Sequence, residues 1–257
     1  MSSLARTTLF LVAAAGLAVI LVLGLIDLPP MGDYRGPYGY VVTQVAVYER
    51  HATDVVNAIN YDYRAFDTLG EEFILFASVV GVLLLFRPSP NQQGEQEQQK
   101  GGDLEDDEES LPVSDALRVS TQVIMGVMIV FGVYIATHGQ LTPGGGFQGG
   151  VILASTPILI YLAGDVRAFE KITSSPLVKL AECGGAGGYG VIGIIALLAG
   201  THFLTNYLPL GTTGDLFSSG TIAVISVVVG LEVTGGFVQL TQVYLREIVE
   251  SQLKREE

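Results

Sequence analysis

The feature that most limits what this chain can fold into is a series of long apolar stretches. They run from Thr8 to Ile26, Asp67 to Phe86, Val119 to Thr137, Phe147 to Ala163, Gly184 to Asn206 and Ser219 to Leu245. A helix needs roughly 20 apolar residues to cross a hydrocarbon core about 30 Å thick, and inside that core every backbone polar group must be paired within the protein. The stretches therefore predict an all-α, polytopic membrane protein of about six transmembrane helices. The fourth is the shortest and carries Pro157. A chain with 49% hydrophobic and 15% charged residues, and a mean hydropathy of +0.48, is more apolar than a soluble domain. The first stretch follows Arg6, is too long for the apolar region of a signal peptide and lacks a small-residue cleavage site, so it reads as a retained anchor.

Loop charge supplies an orientation. With the N-terminus cytoplasmic, ten of the 13 Lys and Arg residues fall inside, and only Arg35, Arg50 and Arg64 fall outside. That bias predicts an even number of spans with both termini in the cytoplasm. The net charge of -13 is unevenly placed: Pro88 to Asp115 holds nine carboxylates against the single Lys100. Within it, Gln92 to Ser110 is too polar to bury a core and reads as an acidic disordered linker. Residues 88–116 thus separate a two-helix module, 1–87, from a four-helix module, 117–257. The outer segment from Tyr34 to Tyr63 holds six of the 11 tyrosines, fitted to a membrane interface, and Thr53-Asp54 is a helix start signal before Val55.

A lone cysteine, Cys183, can close no intramolecular disulfide and hold no iron–sulfur cluster or structural zinc. No cofactor, no metal site, no enzymatic chemistry and no nucleic-acid partner is expected. Gly144, Gly146 and Gly149 make a formal G-x-G-x-x-G, but a dinucleotide site needs a strand before it and an acid about 20 residues on, and both flanks here are membrane spans. The glycine-rich loop, with Pro143, Gly144, Gly145, Gly146, Gly149 and Gly150, has two readings: close helix approach through missing Cβ atoms, or irregular backbone lining a wet cavity at membrane depth.

The run from His138 to Gly150 resembles the signature of the B subunit of Mrp-type sodium/proton antiporters and its counterpart in archaeal membrane-bound hydrogenases. Upstream, Tyr63-Arg64-Ala65-Phe66-Asp67-Thr68-Leu69-Gly70-Glu71 resembles the small two-helix subunit of those hydrogenases, which matches the C-terminal end of the antiporter A subunit. The two resemblances together cover most of the chain outside the linker. They imply a membrane subunit of a multisubunit antiporter or respiratory complex, with other membrane subunits, sodium ions, protons and the lipid bilayer as partners. Glu72 and the linker fall outside the resemblance.

Candidate ion-carrying residues are those a bilayer does not tolerate without a reason. Glu232 lies deep in the last span, with Gly236 and Gln239 on the same helical face, and is either a protonated group bonded within the bundle or a site on a proton or cation path. Asp67 and Glu71, spaced i, i+4 with Arg64 a turn before, are either a solvated helix end or a proton-exchanging pair. His138 and His202, near outer helix ends, are structural residues or proton relays. Glu182 reads as the dipole-offsetting acid that opens the fifth span, and Asp165 and Asp215 as solvated loop acids. A self-sufficient transporter and a scaffold without an ion path compete with the multisubunit reading. The first lacks the expected internal repeat, and only the intramembrane acids argue against the second.

The topology is tested by labelling. In a chain carrying Cys183→Ser and Ser110→Cys, an impermeant maleimide applied to intact cells should label nothing until the membrane is opened. Prompt labelling from outside overturns it.

Overall fold

The computed structural model describes residues 3–26, 36–86 and 113–256. The stretch Gln92 to Ser110 lies outside the described residues. All regular structure among them is helical. The chain divides into two compact units, Met1–Val41 and Val42–Glu257.

In the first unit, α1 (Ser3–Ile26) is apolar and exposed along its length, as a single helix solvated by lipid is. The boundary between the units falls within α2 (Pro37–Arg50), which ends at His51, and the second unit then builds α3 (Val55–Ala58), whose N-cap is Asp54, the predicted start signal. A π-helical turn, Ile59–Tyr63, leads into α4 (Ala65–Leu85). After Ser114, whose side chain caps it, comes α5 (Asp115–Thr137). The glycine-rich loop connects this to α6 (Gly146–Leu162), followed by the short α7 (Val166–Thr173), α8 (Pro176–Leu198) and α9 (Thr221–Glu256).

Five of these helices, α1, α4, α5, α8 and α9, are long and apolar enough to cross a membrane, and α6 is a shorter apolar helix of 17 residues. The about six predicted spans correspond to these six elements, with the weakest one where Pro157 sits. One boundary differs from expectation, with a consequence. The apolar pattern opens the fifth span near Gly184, yet α8 starts at Pro176, because Ser175 is an N-cap and proline suits the first helical position. Glu182 is therefore nearly two turns inside the helix and is no cap. Asp165, expected as a solvated loop acid, is exposed and also caps α7 by accepting a 2.9 Å bond from the Ala168 amide.

The core is organised around α9, which packs against α4, α6 and α8 and also touches α5. Apolar side chains have no hydrophobic reason to prefer one another over lipid, so such contacts depend on close approach at small residues. A Cβ added at Gly150 of α6 would stand 2.7 Å from the Val233 Cβ and 2.8 Å from the Gly230 carbonyl of α9, and one at Gly146 would collide with the backbone at Ser226 and Gly230. Ser226 completes the contact by donating to the Ala136 carbonyl of α5 at 2.8 Å. On the other side, Tyr189 of α8 is fully buried and donates its hydroxyl to the Ala65 carbonyl at 2.9 Å, tying α8 to the first turn of α4. Beyond the helix ends, Asn206 fixes the start of α9 by accepting from the Thr221 amide at 2.9 Å while donating to the Ser219 carbonyl at 2.9 Å.

Gly146→Val is predicted to destabilise the bundle by about 3 kcal/mol or more, the upper end for overpacking, because the obstacle is backbone and cannot swing away. Gly187→Ala, where nothing stands within 4 Å, should be tolerated. Thermal unfolding of the purified protein in detergent checks both.

Candidate functional site

The structure brings together three buried acids that the sequence had scattered. Glu72 of α4 is 4% exposed, Glu182 of α8 is 3% exposed and Glu232 of α9 is 1% exposed. Glu232 lies about 16 Å along α9 from Thr221, at the rise of 1.5 Å per residue. Glu72 and Glu232 face each other across the α4/α9 contact, and Glu182 is close enough to act electrostatically on Glu232. Gln239, on the same face of α9 as Glu232, is 4% exposed and donates its amide to a carboxyl oxygen of Glu182.

Why these side chains meet is a matter of glycine. At Gly185 an added Cβ would stand 2.6 Å from the Glu232 amide nitrogen, and at Gly235 it would stand 2.6 Å from the Glu182 amide nitrogen. Each acid thus sits opposite a glycine of the neighbouring helix. This reciprocal notch seats α8 and α9 at backbone contact and leaves the two carboxyl groups to point along the seam. On the α4 side, Gly236 lies against Val79 and admits Glu72 to the same region.

The chemistry of the cluster follows from what is unpaired. Both carboxyl oxygens of Glu232, one of Glu72 and one of Glu182 have no hydrogen-bond partner among the described residues. Carboxylates only accept hydrogen bonds, so two of them can bond to each other only through a shared proton. Ionised carboxylates cannot be left uncompensated at this depth; each must take a proton or sit beside a cation. No basic side chain is paired with the cluster among the described residues. Two buried carboxyl groups facing each other in this way can share and exchange a proton.

The sequence candidates fall elsewhere. Asp67 and Glu71 are exposed on the first turns of α4, and Arg64 meets Asp67 with both its Nε, at 2.6 Å, and a terminal nitrogen. The pair does not touch Glu232, but Glu71 lies near enough to act on Glu72. His138 ends α5 and stacks on Tyr134 at 4.2 Å between ring centroids, its Nδ1 3.0 Å from the Tyr134 carbonyl. His202 is exposed in the loop after α8. Neither histidine joins the acid cluster.

The glycine-rich loop forms a second polar centre. Asn57, 2% exposed, donates from Nδ2 to the carbonyls of Gly139 at 2.6 Å and Gly144 at 3.0 Å and to the Asp54 carboxylate at 2.6 Å. The Asp54 amide donates to the Gln140 carbonyl at 3.1 Å, and Thr53 donates to that of Leu141 at 2.6 Å. Gly144 and Gly145 adopt φ of 138° and 131°, which glycine alone adopts without strain, and a Cβ at Gly145 would meet the Asn57 Oδ1 at 2.6 Å. Pro143 at the tip is exposed, while Gly145, Gly146, Gly149 and Gly150 are buried against protein atoms. The buried Tyr61 hydroxyl reaches the backbone amides of Gly146 and Phe147, and burial pushes its phenol well above the ordinary range. Nearby, Tyr63 donates to Glu49 at 2.7 Å; burial, followed by that bond, raises its phenol to about 12, so it remains a donor.

Sequence reasoning missed Glu72 and the Glu182–Gln239 pair. The one available signal for Glu72 was an acid next to an uninterrupted apolar run; for Glu182 it was Ser175-Pro176, which relocates the helix start.

These features define a multi-pass helical membrane protein. Residues 116–239 match the family described as "Domain related to MnhB subunit of Na+/H+ antiporter", and residues 7–100 match the MbhE family, described as the E subunit of MBH. Residues 116–239 are thus similar to an MnhB-related domain, and the earlier residues 7–100 to the MbhE family. An uncharacterised protein of Methanocaldococcus jannaschii is 28% identical over 194 residues, which is 70% of this chain and 72% of that one. The B subunit of the Na(+)/H(+) antiporter of Alkalihalophilus pseudofirmus is 34% identical over 98 residues, 35% of this chain and 62% of the relative. A chain of the membrane-bound sulfane sulfur reductase, an archaeal respiratory membrane complex, superposes with a TM-score of 0.64 at 27% identity, covering 93% of this chain and 98% of that one. A chain of the Mrp complex from Dietzia sp. DQ12-45-1b shares the fold, with a TM-score of 0.64 at 23% identity, over 93% of this chain and 26% of its own length.

Asn57→Ala removes the donor to two loop carbonyls that remain buried. It should cost about 2 to 3 kcal/mol, the penalty for stranding buried acceptors, whereas Asp67→Asn, at an exposed ion pair, should cost no more than about 1 kcal/mol. Chemical denaturation of the two variants in the same detergent distinguishes them.

Proposed function

We propose that this chain is a non-enzymatic subunit of an Mrp-type antiporter or of the antiporter-like module of a respiratory complex, and that it contributes part of a proton or sodium path. The single observation that carries the reading is the group of three buried acids at the junction of α4, α8 and α9, with oxygens left without hydrogen-bond partners among the described residues. In this reading Glu232 and Glu72 exchange a proton or hold a cation between them. Glu182, oriented by Gln239, continues the route along the α8/α9 seam. Asp67 and Glu71, exposed at the start of α4, supply a charged approach to Glu72 from a neighbouring subunit. The other membrane subunits of such a complex are the natural partners, and sodium ions and protons the cargo. The positive-inside bias supports both termini in the cytoplasm, and the likeness to archaeal and bacterial proteins supports a prokaryotic cell membrane.

A scaffold without an ion path is the competing reading, and the tightly fitted glycine contacts would serve it equally well. It gives no reason for placing three carboxyl groups in the bundle core, where each costs several kcal/mol. Neutral isosteres separate the two: Glu72→Gln, Glu182→Gln and Glu232→Gln keep size and remove the exchangeable proton. Cation-dependent proton flux in vesicles, normalised to assembled complex, should fall about a hundredfold for Glu72→Gln and Glu232→Gln, the low end for loss of a positioned proton-transfer group. Wild-type flux in all three variants returns the chain to a scaffold.

A further inference from the structure

We propose that Tyr61, Tyr189 and Thr68 form a proton relay that joins Glu72 to the glycine-rich loop. The relay rests on the ion-path reading. It adds a second approach to the acids, along the buried side of α4, and names what that approach carries.

Ala65, Thr68 and Glu72 stand at i, i+3 and i+7, so they share one face of α4, and all three are buried. The face therefore presents a carbonyl, a hydroxyl and a carboxyl group one turn apart. Side chains on a helix lean toward its N-terminus, so Glu72 reaches back over the turn that holds Thr68. Tyr189 meets this row from α8. It lies one turn beyond Gly185, the residue seated on Glu232, and donates its hydroxyl to the Ala65 carbonyl at 2.9 Å with the Thr68 hydroxyl beside it. Tyr61 continues the row from the π-helical turn. Its hydroxyl accepts from the Gly146 and Phe147 amides, and both tyrosines lie within electrostatic reach of each other and of Glu72. Beyond Tyr61 is the glycine-rich loop, whose tip at Pro143 is exposed. The two polar centres of the protein are thus joined by hydroxyl groups.

The surroundings select the cargo. Both tyrosine rings are packed in the apolar core with Leu69, Ile192 and Ile225, so a hydrated cation cannot pass without displacing them. A proton needs no such opening. Each hydroxyl both accepts and donates, so a proton taken up on one side of an oxygen releases another on the far side. One O–H bond forms as one breaks, and the Glu72 carboxylate is the final acceptor. The Tyr189 hydroxyl resets by rotating between the Ala65 carbonyl and Thr68, and a bridging water serves where two oxygens stand further apart than a hydrogen bond.

The test is cation-dependent proton flux in vesicles holding the assembled complex, with variants that remove one hydroxyl and keep the shape. Tyr61→Phe and Thr68→Val should each lower the maximal flux about tenfold, less than the loss of a carboxyl group because a bridging water can replace a hydroxyl. The sodium concentration for half-maximal flux should not move. Thr68→Ser keeps the hydroxyl and should restore most of the flux, whereas a packing role predicts the reverse order, valine harmless and serine damaging. Tyr189→Phe should also slow the flux, but it releases the first turn of α4 as well, so the other two variants decide. Wild-type flux in Tyr61→Phe and Thr68→Val, with Glu72→Gln slow, overturns the relay and leaves the ion-path reading standing. A raised half-maximal sodium concentration at unchanged maximal flux also overturns it, because the hydroxyls would then hold the cation. Wild-type flux in Glu72→Gln removes the ion-path reading and the relay with it.

Discussion

Helices in a bilayer are not driven together by burial of apolar surface, since lipid tails are as apolar as leucine. What holds them is dispersion at short range, and that requires the backbones to come close. In this protein the requirement is met by glycines that face α9 and by glycines on α9 itself. Gly146 and Gly150 let α6 settle onto Ser226, Val229, Gly230 and Val233, and Gly185 and Gly235 form the two halves of the contact with α8. The acid cluster depends on the same contacts. Glu182 and Glu232 each face a glycine at this contact; Glu232 lies against Glu72, and Glu182 pairs with Gln239 further along the seam. Tight packing and buried charge are one construction.

That construction creates an energetic tension the fold does not relieve with counter-charges among the described residues. The exposed ion pair Arg64–Asp67 and the pair Arg50–Asp62 lie at the ends of helices, away from the buried acids. An acid in a low-dielectric core without a cationic side chain holds a proton or recruits a mobile cation. The polar clamp of Thr53, Asp54 and Asn57 satisfies the carbonyls of Gly139, Gln140, Leu141 and Gly144 in the glycine-rich loop, while the buried Gln140 Oε1 has no partner among the described residues.

The packing also joins what the chain separates. The acidic stretch divides the sequence into an early part with α4 and a later part with α5 to α9; one family match covers the early part and reaches into that stretch, and the other begins after it. Yet α4 lies in the same compact unit as α8 and α9, with Tyr189 bonded to Ala65 and Gly236 resting on Val79. The acid cluster takes Glu72 from the early part and Glu182 and Glu232 from the later one. A covalent link between two segments that share one site keeps them at equal numbers and high local concentration.

The sequence alone determined the lipid-solvated character of the chain, the places of its apolar helices apart from the limits of α8, the shortness of the helix with Pro157 and the helix start at Asp54. These are legible because each rests on local quantities: the length of an apolar run or a capping residue. Glu232 stood out for the same reason, as an acid inside such a run. Only the tertiary structure decided which acids act together. Glu72 and Glu71 are neighbours in sequence, but the rotation of α4 buries the first against α9 and leaves the second exposed. Gln239 shares a face with Glu232 yet bonds to Glu182, because the α8/α9 crossing places that partner further along the seam. Rotation about a helix axis is set by the surface of the neighbouring helix. Among near-uniform apolar sequences, the hydrophobic pattern carries almost no record of it.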